Sequence, residues 1–233
     1  MFMPSVDLPC LQTSPLQRRH TFRCRFDIFS LVTGWVAAAL MLVGVTLSGC
    51  SKTPDRVNPP SIDAGAAALA AVTQYDTDGD GTIGPEELKS APALRVALGN
   101  LDTSGDGAVS AEEVIARIEA WQKSKVGLTT TPCAITFNGR PLAGATVTFE
   151  PEEFLGDSIQ ACVGKTNAEG NVRLKIPGSI DNLPGCAPGL YRVKISSTNA
   201  EIPEKYNNKT ILGAEVSLDS ATVETGHILN LKK

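Results

Sequence analysis

Three patterns of apolar and polar residues follow one another along the chain. Residues 28–47 form an apolar run that is interrupted only by three hydroxyl residues and two glycines. Residues 64–124 repeat apolar positions at steps of three or four, which indicates helices. From Val126 onward, apolar and polar residues alternate, which predicts short strands. We therefore expect an α+β protein of two domains, an all-α region followed by an all-β antiparallel sandwich.

Four helical segments are predicted, over residues 64–75, 86–90, 92–101 and 111–124. Pro92 suits the first turn of the third segment, because a proline there loses no helical hydrogen bond. Trp121 is expected to anchor the helical core. The other positions expected to be buried are Leu69, Val72 and Tyr75, then Leu94, Val96, Leu98 and Leu101, then Val114, Ile115 and Ile118.

The strands are shorter and separated by turn residues. Asn138 and Gly139 form one such turn signal. About seven short strands in this stretch indicate an antiparallel β-sandwich. The predicted strands cover residues 133–137, 145–150, 160–166, 172–176, 191–195, 212–218 and 222–231.

Residues 76–87 carry carboxylates at alternate positions, then a glycine turn and a closing glutamate. Ca²⁺ takes six to eight oxygen ligands, and alternate residues of one tight loop can direct oxygens to a common centre. The segment resembles the EF-hand calcium loop at every fixed position. That resemblance implies side-chain ligands from Asp76, Asp78, Asp80 and Glu87, the backbone carbonyl of Thr82, and a water at Gly84.

Residues 102–113 repeat the pattern less completely. The implied ligands are Asp102, Ser104, Asp106, the carbonyl of Ala108, Ser110 and Glu113. Ser104 replaces a carboxylate, so this loop is expected to bind calcium more weakly. Ile83 and Val109 should face each other in a short bridge between the loops. The alternative is that each run is a solvated turn, but two such loops with helical flanks favour a calcium-binding pair.

The N-terminal segment resembles a bacterial lipoprotein signal peptide. Four arginines precede the apolar run, and Leu-Ser-Gly-Cys follows it, ending at Cys50. Residues 1–49 would then be removed, Cys50 would carry the lipid, and polar, proline-rich residues 50–63 would form a tether. The alternative is an uncleaved anchor, since 20 apolar residues can span a bilayer. Both interpretations place the rest of the chain outside the cytoplasm.

The charge of the chain is concentrated in the two loops. Residues 76–113 hold nine acidic residues against Lys89 and Arg95. The chain has 25 acidic and 21 basic residues in all, and no basic cluster of the kind that binds nucleic acid. The expected partners are the membrane, through the N-terminal lipid, and an envelope protein or glycan.

Residues 126–233 carry a second resemblance. The segments 139–147, 166–172 and 188–193 are similar to the three-part pattern of carboxypeptidase-regulatory-like domains, which are transthyretin-like sandwiches. The resemblance implies an accessory or binding module. It carries over no catalytic residue.

The sequence contains no recognisable catalytic motif. His227 is the one histidine beyond the signal segment, and we expect it to be packed or at a strand edge. Glu150, Glu152 and Glu153 are interpreted as a solvated strand end. The sequence leaves open whether two of Cys133, Cys162 and Cys186 form a disulfide, with Cys162–Cys186 weakly favoured because it leaves the core-facing Cys133 free.

The sequence therefore predicts a lipid-anchored, extracytoplasmic calcium-binding protein that is not an enzyme. Its domains are predicted as residues 64–125 and 126–233, with the sandwich contacting a partner. The alternative is a structural envelope protein in which calcium only adds rigidity. Because few residues join the two regions, calcium is expected to stabilise the helices alone.

Overall fold

The structure is a computed structural model that describes residues 57–179 and 183–233. These residues belong to one compact unit. The predicted signal segment, its apolar run and Cys50 lie outside the described residues. Among the residues that are described, no helix has both the length and the apolar character needed to cross a membrane.

Of the four α-helices in the described residues, three surround the two acidic loops. Asp63 caps the first helix by accepting the Ala66 N–H at 3.0 Å, and Ser110 and Glu113 form a capping box at the third. The bounds of these three helices confirm the predicted segments. The fourth predicted segment, residues 86–90, is a 3₁₀ turn at Glu87–Lys89. The α-helices are α1 Ala64–Tyr75, α2 Pro92–Leu101, α3 Ala111–Ser124 and α4 Thr222–Thr225.

The buried faces of the helices differ from the prediction at two positions. Leu69 is 68% exposed and Val96 is 49% exposed, although both were expected in the core. Small residues occupy the buried positions instead, because alanine lets neighbouring backbones approach closely. Trp121 is buried as predicted. The buried small residues are Ala67, Ala68 and Ala71 of α1 and Ala93 and Ala97 of α2.

The strands of the described residues form one two-stranded bridge and two four-stranded sheets. The strands are β1 Thr82–Ile83, β2 Val109–Ser110, β3 Cys133–Phe137, β4 Arg140–Pro141, β5 Thr146–Pro151, β6 Cys162–Lys165, β7 Asn171–Val172, β8 Gly189–Ser196, β9 Gly213–Val216 and β10 His227–Leu231. The bridge is β1–β2, one large sheet has the order β10-β3-β4 with β7 also on β3, and the other has the order β6-β5-β8-β9.

The prediction of a wholly antiparallel sandwich is wrong at one strand pair. β10 runs parallel to β3, with His227 opposite Cys133 and Leu231 opposite Phe137. The predicted strand 222–231 is in fact the short helix α4 followed by β10. Gly226 separates them with a φ of 76°, a conformation that few residues other than glycine adopt. β10 follows this helix and enters its sheet in the same direction as β3.

The helices pack on the sandwich across a shared core, which differs from the small contact that the sequence suggested. The start of α2 lies against β9, where a Cβ at Gly213 would fall 2.1 Å from the Pro92 carbonyl oxygen. The ring of Tyr75, at the end of α1, contacts the Phe154 ring edge-on at 6.4 Å. Buried residues of the helices and of both sheets form one hydrophobic cluster. The helices and the sandwich are therefore stabilised by the same hydrophobic core.

Part of the predicted tether also packs against this unit. Ile62 is 6% exposed, and its carbonyl accepts a hydrogen bond from Gln122 Nε2 at 2.6 Å. The Ser61 carbonyl accepts a hydrogen bond from Ser158 Oγ, also at 2.6 Å. The residues just before α1 therefore connect α3 to the sandwich.

Candidate metal centre

The first acidic loop brings three carboxylates together. One carboxylate oxygen each from Asp76, Asp78 and Asp80 lies within 4.8 Å of the other two. Among the residues that the structure describes, this is the one group of three or more acidic, cysteine or histidine ligands at that spacing. Hard carboxylate oxygens at such close range suit Ca²⁺.

Backbone N–H groups hold the aspartates in place. Asp76 accepts hydrogen bonds from Gly79 at 2.6 Å and from Gly81 at 2.9 Å. Both glycines have positive φ, 78° and 89°, which lets the chain turn tightly around the Asp76 carboxylate. Asp80 accepts the Thr82 N–H at 2.8 Å. The loop therefore orders the aspartates through its own backbone.

Glu87 closes the first loop from the other side. Its side chain is largely buried and accepts N–H groups from Thr77 at 2.5 Å and from Gly84 at 2.8 Å. These backbone hydrogen bonds, with that of Thr77 the strongest, lower the pKa of Glu87. The carboxylate is thus kept ionised, as a calcium ligand must be. Glu87 is outside the close aspartate group but in the same loop.

The second loop repeats this arrangement with fewer charges. Asp102 accepts N–H groups from Gly105 at 2.5 Å and Gly107 at 2.9 Å, as Asp76 does in the first loop. Ser104 donates its hydroxyl to Asp102 at 3.2 Å. Asp106 accepts the Ala108 N–H at 2.9 Å. The serine thus stands where the first loop has its second aspartate.

Glu113 holds the same place in the second loop as Glu87 in the first. It accepts the Thr103 N–H at 2.9 Å and the Ser110 N–H at 3.0 Å. Burial raises the pKa of Glu113, but hydrogen bonds from Ser110, Ser104 and Thr103 outweigh it and lower the pKa to about 2. Because Glu113 also completes the capping box of α3, it ties this loop to that helix.

The two loops are joined back to back by β1 and β2. Ile83 pairs with Val109, as the sequence predicted, and Thr82 pairs with Ser110. Ile83 and Val109 are fully buried. The bridge therefore connects the two loops through backbone pairing and a buried apolar contact.

The comparisons with known proteins bear on the first loop. Residues 73–91 match the EF hand family model. No curated protein and no solved structure matches the chain at a significant level. The EF hand match and the aspartate cluster together point to calcium binding at residues 76–87. The ligand roles given to Thr82, Ala108 and the other loop residues stay predictions.

The sequence missed a polar contact that links the first loop to the sandwich. Tyr75, directly before Asp76, donates its hydroxyl to Glu152 Oε2 at 2.7 Å. Glu152 is fully buried, so its interpretation as part of a solvated strand end is wrong. Burial raises the pKa of Glu152. Its neighbour Glu150 is partly exposed and forms an ion pair with Lys194.

A larger buried network links α3 to β9. Arg117 Nε donates to Glu215 Oε1 at 2.6 Å, and Asn100 Nδ2 donates to Glu215 Oε2 at 2.8 Å. The Arg117 guanidinium also binds both carboxylate oxygens of Asp219, at 2.7 and 2.8 Å. Arg117 and Glu215 are 7% and 3% exposed. We call Arg117, Glu215, Asp219 and Asn100 the α3–β9 network.

One sequence signal could have revealed this network. Arg117 lies one turn from Val114 and Trp121, on the buried face of α3, where a charged residue is unexpected. An arginine at such a position needs a carboxylate partner. The sequence could not identify that partner, because Glu215 lies 98 residues away.

His227 is packed in the core, which agrees with its prediction as a packed or edge residue. It is 4% exposed, and its ring contacts Phe149 edge-on at 5.4 Å. Burial lowers the pKa of His227 to about 4. The side chain is therefore neutral near pH 7.

Proposed function

We propose that this protein binds two calcium ions, one in each acidic loop, and that the first loop binds more tightly. The observation that carries the proposal is the close group of Asp76, Asp78 and Asp80 carboxylates. Like charges at that distance repel, and a divalent cation offsets the repulsion. The first loop offers four carboxylates and the second three, so the first attracts the ion more strongly.

The affinity that we expect fits an extracytoplasmic site. Extracellular calcium modules of this kind bind with dissociation constants of about 10⁻⁴ to 10⁻³ M. Calcium well above these concentrations would keep both loops occupied. Calcium then acts as a permanent structural component rather than a transient signal.

The proposal includes an anchor and a binding module. Lipid on Cys50 would hold the protein at a bacterial membrane outside the cytoplasm, with an uncleaved apolar anchor as the alternative. The sandwich, through its resemblance to transthyretin-like domains, would contact an envelope protein or glycan. The proposal includes neither catalysis nor nucleic-acid binding.

A second candidate function is structural support of the envelope, with calcium only adding rigidity. The α3–β9 network favours it, because buried ion pairs attach the loop-bearing helices to the sandwich. Such contacts let bound calcium rigidify the sandwich as well. The two candidates share the same calcium sites and differ in whether the sandwich has a partner.

Glu87→Gln tests the proposed first site. The substitution keeps the shape of the side chain but removes the charge that closes the loop. We expect it to weaken the first site on the order of 100-fold, since even outer-shell partners of metal ligands are worth about 10- to 100-fold. Calcium titration calorimetry should then detect only the weaker second site at submillimolar calcium.

Glu86→Gln is the matched control for this test. Glu86 is next to Glu87, but its side chain is 84% exposed and forms an ion pair with Lys89. This variant should keep calcium affinity within about twofold, since exposed ion pairs contribute little. If both substitutions weakened calcium binding equally, Glu87 would contribute only its negative charge to the loop and would not be a ligand.

Cys50→Ala tests the proposed anchor. If Cys50 carries the lipid, the variant should incorporate no labelled fatty acid and should keep residues 1–49 attached. Cys24→Ala, a change in the same segment, should be processed normally. Metabolic lipid labelling and mass spectrometry of the N-terminus measure both outcomes. Intact residues 28–47 in the normal protein would instead establish the uncleaved anchor.

A further inference from the structure

Three cysteines occupy the interior of the sandwich. Cys133 is on β3, Cys162 is on β6, and Cys186 lies in the segment before β8. Their exposed fractions are 3%, 0% and 0%, and all three are free thiols. Neither the calcium loops nor the α3–β9 network uses them. Their chemistry is therefore separate from the proposed function.

The Cys162 sulfur lies against the segment that carries Cys186. Cys162 Sγ lies 3.7 Å from the carbonyl oxygen of Gly185, the residue that precedes Cys186. The segment around Cys186 is held by paired hydrogen bonds with Thr129, at 2.8 and 3.0 Å. A thiol–thiol hydrogen bond with Cys162, followed by burial, raises the pKa of Cys186. The contact with the Gly185 carbonyl places the Cys162 sulfur next to the backbone that carries Cys186.

The backbone keeps Cys186 in this position. Gly185 has a φ of 127°, and a Cβ there would fall 3.0 Å from the Thr129 carbonyl oxygen. A glycine is thus needed for the chain to pass this close to Thr129. The Gly185 N–H also donates to Leu174 O at 2.9 Å. The backbone on both sides of Cys186 is therefore held in place next to Cys162.

Cys133 lies in the other sheet, although it is close enough to Cys186 to raise the pKa of that thiol electrostatically. It belongs to the sheet of β3 and β10, opposite His227, whereas Cys162 is paired with Phe149 in the other sheet. Burial alone raises the pKa of Cys133 to about 12. Cys133 therefore behaves as a small buried apolar residue, and it provides a matched control for the other two.

We propose that Cys162 and Cys186 form a disulfide when the chain folds in the presence of a disulfide oxidant. In the first step, the Cys162 thiolate attacks glutathione disulfide and releases one glutathione thiolate, which leaves a mixed disulfide. The Cys186 thiolate then attacks the Cys162 sulfur and releases the second glutathione. Two protein thiols are oxidised, and one glutathione disulfide is reduced to two glutathiones.

The order of folding and oxidation follows from the burial of both sulfurs. Thiol–disulfide exchange requires an accessible thiolate. In the folded unit both thiols are fully buried and the Cys186 thiol is kept protonated, so the bond has to form before β6 and the segment before β8 close over it. The finished bond would then join these two segments covalently.

The test refolds the full-length chain with and without the oxidant. The chain is unfolded in guanidinium with dithiothreitol, then diluted into glutathione buffer with glutathione disulfide or into reduced glutathione alone. Free thiols are alkylated in guanidinium, so that buried thiols also react, and the digested protein is mapped by mass spectrometry. We expect a peptide that links Cys162 to Cys186 in the oxidised arm only, with Cys133 alkylated in both arms.

Variants make the assignment specific. Cys133→Ala should keep the link, and Cys162→Ala should lose it and leave Cys186 alkylated. The peptide map of the refolded wild-type chain shows whether the Cys162–Cys186 disulfide forms even if Cys162→Ala fails to fold. A wild-type chain that refolds with Cys162 and Cys186 both alkylated in the oxidised arm would overturn the proposal. A dominant link from Cys133 to either of the others would do the same.

Discussion

Arg117→Ala is expected to lower the free energy of unfolding of residues 55–233 by about 3–5 kcal/mol. Removing one member of a buried ion pair has a cost of this size, because the other charge stays buried without its partner. Here that charge is Glu215, which is 3% exposed and would keep only the Asn100 hydrogen bond at the other oxygen. The guanidinium also lies 5.8 Å from the Trp121 ring. Urea unfolding of the variant and the wild type measures the difference.

Three companion variants identify the cause. Asp219→Ala should cost about 1 kcal/mol or less, because its side chain is 63% exposed and water replaces the lost pair. Lys123→Ala, an exposed change on the same helix, should alter stability by less than about 0.5 kcal/mol. Adding Glu215→Ala to Arg117→Ala should recover part of the loss. Additive losses in the double variant would contradict a direct pairing.

Calcium is expected to stabilise the helices and the sandwich together. At a hundredfold excess over its dissociation constant, each bound ion adds about 2.7 kcal/mol, a large share of the 5–15 kcal/mol typical of a whole protein. The sequence suggested that only the helices would respond. The packing of α2 on β9 and the α3–β9 network instead predict one shared unfolding transition that shifts as a whole.

Two probes can follow the two regions separately in residues 55–233. Trp121 is the one tryptophan in this part of the sequence and reports on the helices. Alkylation of Cys133 in the reduced protein reports on opening of the sandwich, since the thiol is 3% exposed. Both midpoints in urea should fall together when chelator replaces calcium. A tryptophan transition that shifts while the cysteine transition stays fixed would restore the two-domain interpretation.

A variant without either closing glutamate provides the control. Glu87→Gln combined with Glu113→Gln should unfold at the same urea concentration in calcium and in chelator. A calcium response that persists in this variant would place the stabilising ion outside the two loops.

The parts of the fold that sequence could predict are those fixed by local chemistry. Asp63 and Ser110 cap their helices through atoms three residues away. The opposed pair Ile83 and Val109 follows from the loop spacing alone. In each case, residues close in sequence determine the structure.

The parts that sequence could not predict depend on distant residues. Leu69 is exposed and Ala68 buried because the position of the sandwich decides which face of α1 is covered. Glu152 is an acidic residue directly after a strand, so the sequence predicts that it is exposed to solvent. Instead it is buried, because Tyr75, 77 residues away, donates a hydrogen bond to it. The parallel entry of β10 depends in the same way on how the sheets assemble.

Calcium titration calorimetry of wild-type residues 55–233 tests the central claim most directly. We predict that two ions bind per chain, with the tighter site lost in Glu87→Gln and dissociation constants of about 10⁻⁴ to 10⁻³ M. A chain that is folded by circular dichroism and takes up no calcium at millimolar concentration would contradict the account.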